Sequence, residues 1–207
     1  MKDKEITYYK NGNIKKEIYY KNSMVHREDG PAVLWYNEDG KKIEEAYYKN
    51  NLRHKEDGPA VIWYYKNGKI KEEDYYVEGK LHRLDGTAYI YYNENGKIKQ
   101  ERYLVNGQLH RDDGPTEINY DIYGKIKDER YYQNGKMHRD NGPAYIQYYE
   151  DGQIEYESYW LNGNYHRVDG PAVVWYSKSG EVQYEEYWVN DEQYKDIFLY
   201  SVVAGAC

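Results

Sequence analysis

One short theme recurs six times at a fixed spacing, and this repetition constrains the fold more than any other feature of the sequence. The theme reads His-Arg-x-Asp-Gly-Pro-Ala, with small variations, and returns every 28 residues. Its copies start at His26, His54, His82, His110, His138 and His166. A fixed period of this length is typical of repeat architectures, in which each repeat packs on its neighbours. We therefore predict one array over residues 1–195, opening with a partial repeat at 5–25, and an apolar tail at 196–207 that caps the last strand.

Each repeat contains two alternating runs of apolar and polar residues joined by a turn signal. In the repeat that starts at His54, a run over 59–65 meets Asn67-Gly68, and a second run covers 69–77. Two such runs joined by Asn-Gly predict a β-hairpin with a two-residue turn. A second turn signal, such as Glu78-Gly79, returns the chain into a short Leu-His-Arg stretch. The sequence thus predicts an all-β fold: an elongated, single-layer antiparallel β-hairpin array that forms a twisted ribbon.

The predicted register gives the sheet one face that hardly changes between repeats, which we call the repetitive face. A two-residue turn places Tyr64 opposite Lys71 and Ile62 opposite Glu73. This face carries fourteen of the 30 tyrosines and one glutamate per repeat. We interpret it as a structural hydrogen-bond ladder, in which tyrosine hydroxyls and the His-Arg segment bind the glutamates. The predicted ladder includes Tyr64, Tyr75, Tyr92, Tyr103, Glu45, Glu73, Glu101, Glu129, His54, His82, His110 and His138.

The opposite face, which we call the variable face, differs from repeat to repeat. It carries Val33 and Trp35 in one repeat, but Glu117 and Asn119 in another. Aromatic patches of this kind mark interaction sites, so we expect this face to bind a partner. The alternative is that its side chains only cover the second face of a thin sheet. The predicted partner-binding residues are Trp35, Trp63, Tyr91, Trp160, Trp175 and Trp188.

The charge pattern and the motifs limit the classes of function. The 36 acidic and 29 basic residues are interleaved and give a net charge of -7, which argues against nucleic acid as a partner. The six histidines lie in identical contexts at equal spacing, whereas an enzyme needs one asymmetric constellation. The sequence has no phosphate-binding loop, nucleophile elbow or cysteine cluster. We predict a non-enzymatic protein with no catalytic residues, no metal site and no cofactor.

The same features give expectations for location and partners. No stretch approaches the roughly 18 apolar residues of a membrane span, and the first residues lack the apolar region of a signal peptide. Cys207 is the only cysteine, which favours a reducing compartment. We expect a cytoplasmic location, or the cytoplasm of an infected host cell if the protein is viral. The expected partner is an unidentified protein, with self-association through a sheet edge as a second mode and no nucleic acid or membrane contact.

The hairpin segments also resemble a known repeat. The segment 64–79, Tyr-Tyr-Lys-Asn-Gly-Lys-Ile-Lys-Glu-Glu-Asp-Tyr-Tyr-Val-Glu-Gly, and its equivalent at 92–107 are similar to the MORN repeat, especially its variant form. The resemblance covers residues 5 to about 193 and implies antiparallel hairpin arrays with roles in scaffolding, dimerisation or lipid contact. Some bacterial variant-MORN proteins are antitoxins, and related arrays occur in large DNA viruses. We therefore expect a protein-interaction scaffold; the alternatives are an antitoxin-like inhibitor and a carbohydrate- or lipid-binding module.

Overall fold

The computed structural model describes residues 3–195, so the predicted cap at 196–207 lies outside the described residues. Within this range the chain forms strands and turns and no helix. The main sheet is antiparallel and has 16 strands, which confirms the predicted all-β hairpin array. The chain divides into two compact units, Met1–Gln108 and Leu109–Cys207, which we call the N-terminal and the C-terminal unit.

Long strands alternate with two-residue strands along the chain. The strands are β1 Lys4–Tyr8, β2 Ile14–Lys21, β3 Met24–Val25, β4 Val33–Tyr36, β5 Lys42–Ala46, β6 Tyr48–Lys49, β7 Leu52–Arg53, β8 Val61–Tyr64, β9 Ile70–Asp74, β10 Tyr76–Val77, β11 Lys80–Leu81, β12 Tyr89–Tyr92, β13 Ile98–Arg102, β14 Leu104–Val105, β15 Gln108–Leu109, β16 Glu117–Tyr120, β17 Ile126–Arg130, β18 Tyr132–Gln133, β19 Lys136–Met137, β20 Tyr145–Tyr148, β21 Ile154–Ser158, β22 Trp160–Leu161, β23 Asn164–Tyr165, β24 Val173–Tyr176, β25 Val182–Val189 and β26 Glu192–Tyr194. In the N-terminal unit the long strands follow the order β1-β2-β4-β5-β8-β9-β12-β13, and in the C-terminal unit the order is β16-β17-β20-β21-β24-β25-β26. Each long hairpin therefore pairs with the next one along the chain.

The turn at the tip of each long hairpin is one residue longer than predicted. In the hairpin β8-β9, the Tyr65 N–H donates to the Lys69 carbonyl and the Gly68 N–H donates to the Tyr65 carbonyl, both at 2.9 Å. Gly68 has a φ of 85°, whereas Asn67 is not in the left-handed region. A two-residue turn of type I′ or II′ would need a positive φ at Asn67, so this is a type I turn followed by a glycine bulge.

The extra residue changes the pairing at the end of the strand. Tyr64 pairs with Ile70, so its predicted pairing with Lys71 is wrong, because the register shifts between Trp63 and Tyr64 and leaves Lys71 without a partner on β8. Farther from the turn, Ile62 pairs with Glu73 as predicted. The alternation of faces is therefore preserved along most of each strand.

The short hairpins use a different turn. Glu78 and Gly79 both have positive φ values, 49° and 78°, which is the type I′ geometry that matches the twist of the flanking strands. The turns at Asn22-Ser23, Asn50-Asn51 and Asn190-Asp191 have the same signs of φ without any glycine. Asparagine and aspartate tolerate this region better than most residues, although the absence of glycine hides these turns from a sequence search.

The repeated His-Arg-x-Asp-Gly-Pro theme is held together by its arginine. The Arg27 guanidinium lies 4.1 Å from the centre of the Tyr19 ring, donates to Asp29 at 2.8 Å and donates to the Pro31 carbonyl at 3.4 Å. A Cβ on Gly30 would lie only 3.2 Å from the Arg27 Cζ atom. A side chain at this position would therefore crowd the guanidinium, which passes against the backbone. The same three arginine contacts recur at Arg83 and Arg167.

Small residues allow the hairpins to pack in a single thin layer. The alanine that ends the theme is fully buried in five copies: Ala32, Ala60, Ala88, Ala144 and Ala172. On the variable face of the N-terminal unit, Val33, Ala46 and Val61 form a buried cluster, and Trp35 and Trp63 pack against it. This cluster gives the variable face a structural role in the N-terminal unit.

Candidate interaction surface

The repetitive face joins neighbouring hairpins by hydrogen bonds between tyrosine and glutamate. The Tyr64 hydroxyl donates to Glu45 at 2.9 Å, and the Tyr92 hydroxyl donates to Glu73 at 2.7 Å. Each donor lies 19 residues after its acceptor, in the next repeat. Burial raises the pKa of Tyr64, and the bond to Glu45 raises it further. The same bond joins Tyr36 to Glu17, Tyr148 to Glu129, and Tyr176 to Glu157.

Other predicted ladder residues make different contacts. The Tyr75 ring lies under the Arg83 guanidinium at 4.2 Å, as described for the equivalent Arg27. Glu101 accepts a hydrogen bond from the Thr87 hydroxyl at 3.3 Å. Tyr103 lies between β13 and β14. The repetitive face therefore combines charge-assisted hydrogen bonds with cation–π contacts.

The histidines bond to the turn of the following short hairpin. The Nδ1 atom of His54 accepts the backbone N–H of Glu78 at 3.2 Å, and that of His82 accepts the backbone N–H of Asn106 at 3.0 Å. These acceptors lie 24 residues before their donors, so each bond links one repeat to the next. His110 and His138 make the same bond, to Asn134 and Asn162. An accepting Nδ1 requires a neutral ring with its proton on Nε2.

Replacing His82 with alanine is expected to lower the free energy of unfolding by about 0.5–1.5 kcal/mol, because the hydrogen bond from the Asn106 N–H at this exposed turn is lost. Urea denaturation followed by circular dichroism measures this loss. The control is His166→Ala, because the Nδ1 atom of His166 lies 2.9 Å from the side-chain oxygen of Asn190, and a side-chain group turns to water more freely than the backbone N–H of Asn106. A loss at His166 as large as that at His82 would contradict the assigned role.

On the variable face of the N-terminal unit, side chains align in two rows across the strands. The row nearest the tips of the long hairpins contains Trp35, Glu44, Trp63, Glu72 and Tyr91. The second row contains Val33, Ala46, Val61, Asp74 and Tyr89. Three of the predicted contact residues, Trp35, Trp63 and Tyr91, thus lie in one row, where acidic side chains separate them. All three are half-buried.

At the start of the C-terminal unit, the variable face carries a closed polar network. Arg130 donates to Glu117 at 2.5 Å and lies 3.3 Å from Asp128. Asn119 donates to Asp128 at 2.8 Å. Glu117 and Asp128 are both buried. The buried acidic groups here are neutralised by an arginine of the same face.

Farther along the C-terminal unit, the variable face becomes aromatic. We define the aromatic group as Tyr145, Tyr156, Trp175 and Tyr184. The ring centres of Tyr145 and Tyr156 lie 5.3 Å apart, and those of Tyr156 and Trp175 lie 4.6 Å apart. Together with Tyr165 the group borders a groove of about 280 Å³. Trp175 is 40% exposed and Tyr184 is 52% exposed, so the group offers large apolar surfaces to solvent.

The remaining predicted tryptophans lie beside this group. The Trp160 ring lies 3.8 Å from the Tyr165 ring, and Tyr165 lies 5.8 Å from Trp188. The indole N–H of Trp160 donates to Ser158, and that of Trp188 donates to Glu186. The structure thus brings Trp160, Trp175 and Trp188 together through tyrosines that the sequence analysis did not select.

Comparison with known families agrees with this geometry. The family model described as the MORN repeat variant matches residues 4–22, 32–50, 60–78, 85–109 and 144–164. The chain carries five MORN-variant repeats. Each matched segment includes one long hairpin; the match 32–50, for example, contains β4, β5 and β6. No curated protein matches the chain.

MORN repeats are generally non-catalytic scaffolds for protein or membrane interactions. In the part of this chain that the structure describes, no group of three His, Cys, Asp or Glu side chains is arranged to hold a metal ion. Between residues 3 and 195 there is also no helix of the length and hydrophobicity needed to span a membrane. The MORN-variant hairpins instead present two sheet faces, of which the variable one carries the exposed aromatic surface.

Proposed function

We propose that the protein is a non-catalytic scaffold that binds a partner protein through its variable face, with the aromatic group as the principal contact. The observation that carries this proposal is the exposure of Trp175 and Tyr184 beside a groove. On the same face of the N-terminal unit, Trp35 and Trp63 pack on a buried cluster instead. Tryptophan and tyrosine at the edge of a pocket are the side chains that most often dominate binding energy at protein interfaces.

The shape and charge of the groove favour a protein over the alternative ligands. The rings of the aromatic group are tilted by 56° and 58° to one another, so they enclose a groove and do not form a flat platform for sugar rings. Gln147 and Glu186 supply polar groups at its border, and its lining contains no lysine or arginine to attract an anionic lipid. An antitoxin-like inhibitor is a special case of this proposal, in which the bound partner is an enzyme or toxin.

The test is affinity capture from the native cell with the tagged protein and a double variant, Trp175→Ala with Tyr184→Ala. Loss of two such anchors is expected to weaken capture of a specific partner at least 30-fold, which corresponds to about 2 kcal/mol. The matched control is Tyr8→Ala with Tyr123→Ala, which removes two exposed tyrosines away from the group. Capture that survives the first variant, or that is lost equally in both, would refute the proposal. Circular dichroism verifies that both variants are folded.

A further inference from the structure

Three carboxylates surround Trp63 on the variable face of the N-terminal unit. Glu44 and Glu72 flank Trp63 in the same row, one on each neighbouring strand. Asp74 follows Glu72 on the same face of β9, opposite Val61. Glu44 is 8% exposed and Asp74 is 5% exposed, so two of the three acidic groups are buried. Such a cluster needs compensating positive charge.

The protein does not supply that compensation in close contact. Among residues 3–195, no basic side-chain nitrogen lies within 4.0 Å of Glu44, Glu72 or Asp74. Asp74 Oδ1 is buried and has no hydrogen-bond partner in the described chain. Burial raises the pKa of Asp74 to about 7 and also raises the pKa of Glu44 and of Glu72. The ionised forms are therefore held at an energetic cost.

Arg53, whose charge acts on all three carboxylates, is engaged elsewhere. Arg53 donates to the hydroxyls of Tyr48 and Tyr76, both at 3.3 Å. It lowers the pKa of Asp74 only through a longer-range charge interaction, which burial and Glu72 outweigh. Lys16 acts on Glu44 in the same way, and Lys71 and Arg102 act on Glu72. Burial outweighs these charge interactions, so the pKa of both glutamates stays raised.

A second acidic cluster on the same face shows the contrast. In the C-terminal unit, Glu117 and Asp128 are buried to a similar degree, but Arg130 contacts both of them directly. Buried acidic groups on this sheet can thus be held in direct contact with an arginine, from the adjacent strand for Glu117 and from the same strand for Asp128. The cluster around Trp63 lacks that arginine.

The neighbouring aromatic rings show what the position at Trp63 can accept. Lys16 lies 4.5 Å from the centre of the Trp35 ring, and Lys99 lies 5.4 Å from the centre of the Tyr91 ring. Trp35 and Tyr91 flank Trp63 in the same row, one repeat away on each side. No cation of the described chain lies over Trp63. The row thus holds three aromatic residues, of which only the outer two carry a lysine.

We propose that Trp63, Glu44, Glu72 and Asp74 form a binding site for a lysine or arginine side chain of a partner protein. The indole ring provides a cation–π surface, and the carboxylates on both sides provide ion pairs. Charge complementarity selects the occupant, since no basic group of the described chain contacts these carboxylates, Asp74 Oδ1 has no hydrogen-bond partner, and the whole chain has a net charge of -7. That the cation belongs to a partner protein rests on the proposed scaffold function. That the site binds a cation is independent of that function.

The test uses defined peptides and isothermal titration calorimetry. The probe is a decapeptide of alternating glycine and lysine, with the arginine analogue and with a glycine–glutamate peptide as the negative control. The double variant Glu44→Gln with Glu72→Gln should bind the lysine peptide at least tenfold more weakly than the unaltered protein. The matched control is Glu38→Gln with Glu94→Gln, which changes the net charge equally at exposed turn positions. It should bind within twofold of the unaltered protein.

Each other outcome contradicts the site. Equal weakening in both variants would show that only net charge matters, and the absence of binding to both cationic peptides would remove the site altogether. Tighter binding of spermidine than of the peptide would assign the site to a free polyamine instead of a protein. Binding should also be stronger at pH 8 than at pH 6, because Asp74 is ionised above about pH 7. The peptide titrations do not involve Trp175, which the affinity-capture experiment tests. Failure of the cation site can therefore be distinguished from failure of the proposed scaffold function.

Discussion

Replacing Arg130 with methionine is expected to lower the free energy of unfolding by about 3–5 kcal/mol. The guanidinium contacts both Glu117 and Asp128, whose side chains are buried. Removing one partner of a buried ion pair leaves an uncompensated charge in a medium of low dielectric constant, which costs more than the pair itself contributes. Methionine preserves most of the side-chain volume, so the loss reports on charge and not on a cavity. Urea denaturation at pH 7 measures it.

A compensating variant separates this explanation from general misfolding. Adding Glu117→Gln and Asp128→Asn to Arg130→Met removes the unpaired charges, and this triple variant should regain at least half of the lost stability. Its amides can still hydrogen-bond with one another and with Asn119. If the triple variant is as unstable as Arg130→Met alone, the uncompensated charge is not the cause of the loss.

Replacing Asp74 with asparagine is expected to raise the free energy of unfolding at pH 8 by about 2–4 kcal/mol. Burial raises the pKa of this carboxyl from its ordinary value of 3.8 to about 7, and one pKa unit corresponds to about 1.4 kcal/mol. The folded state therefore holds the proton more strongly than the unfolded state. The stability that this proton contributes is complete below about pH 4 and is lost as the pH rises to about 7. Asparagine resembles the protonated form at every pH.

The pH dependence of this gain in stability tests whether the ionisation of Asp74 is its cause. The advantage of Asp74→Asn should be largest at pH 8 and should vanish only below about pH 3, where the carboxyl is protonated in both states because its ordinary pKa is 3.8. The matched control is Asp128→Asn, which alters a similarly buried aspartate that contacts Arg130 and should destabilise the protein at pH 8. Destabilisation by Asp74→Asn at pH 8 would show that Asp74 is compensated by a group in the native protein.

Much of the fold could be predicted from the sequence, because strand alternation and period are local properties. The runs around Asn67-Gly68 predict two strands, and β8 and β9 are where the pattern places them. The turn was assigned wrongly because Asn-Gly is compatible both with a two-residue turn and with the second half of a type I turn plus bulge. The choice depends on which flanking residues form the last hydrogen bond, and the dipeptide alone does not determine this.

The contacts on the variable face were harder to predict. Period and alternation assign Glu117 and Trp175 to this face, but they do not reveal which neighbour will contact each side chain. Arg130 lies 13 residues after Glu117, and the two meet only because β16 and β17 pair in one particular register. Tyr156 and Tyr184 were missed for the same reason, since they belong to the second strand of their hairpins and join Trp175 across strands.

The tyrosine–glutamate bond gives the array a direction that no single hairpin has. Within each unit, a repeat offers a carboxylate to the repeat that follows and a hydroxyl to the repeat that precedes, as Glu45 and Tyr64 do. This bond is the same whatever the variable faces of the two repeats carry. Deleting or duplicating a whole block of 28 residues recreates the same junction, whereas any other length does not. Duplication of one repeat can therefore change the number of residues between two recognition surfaces. No new contact between repeats has to evolve for this.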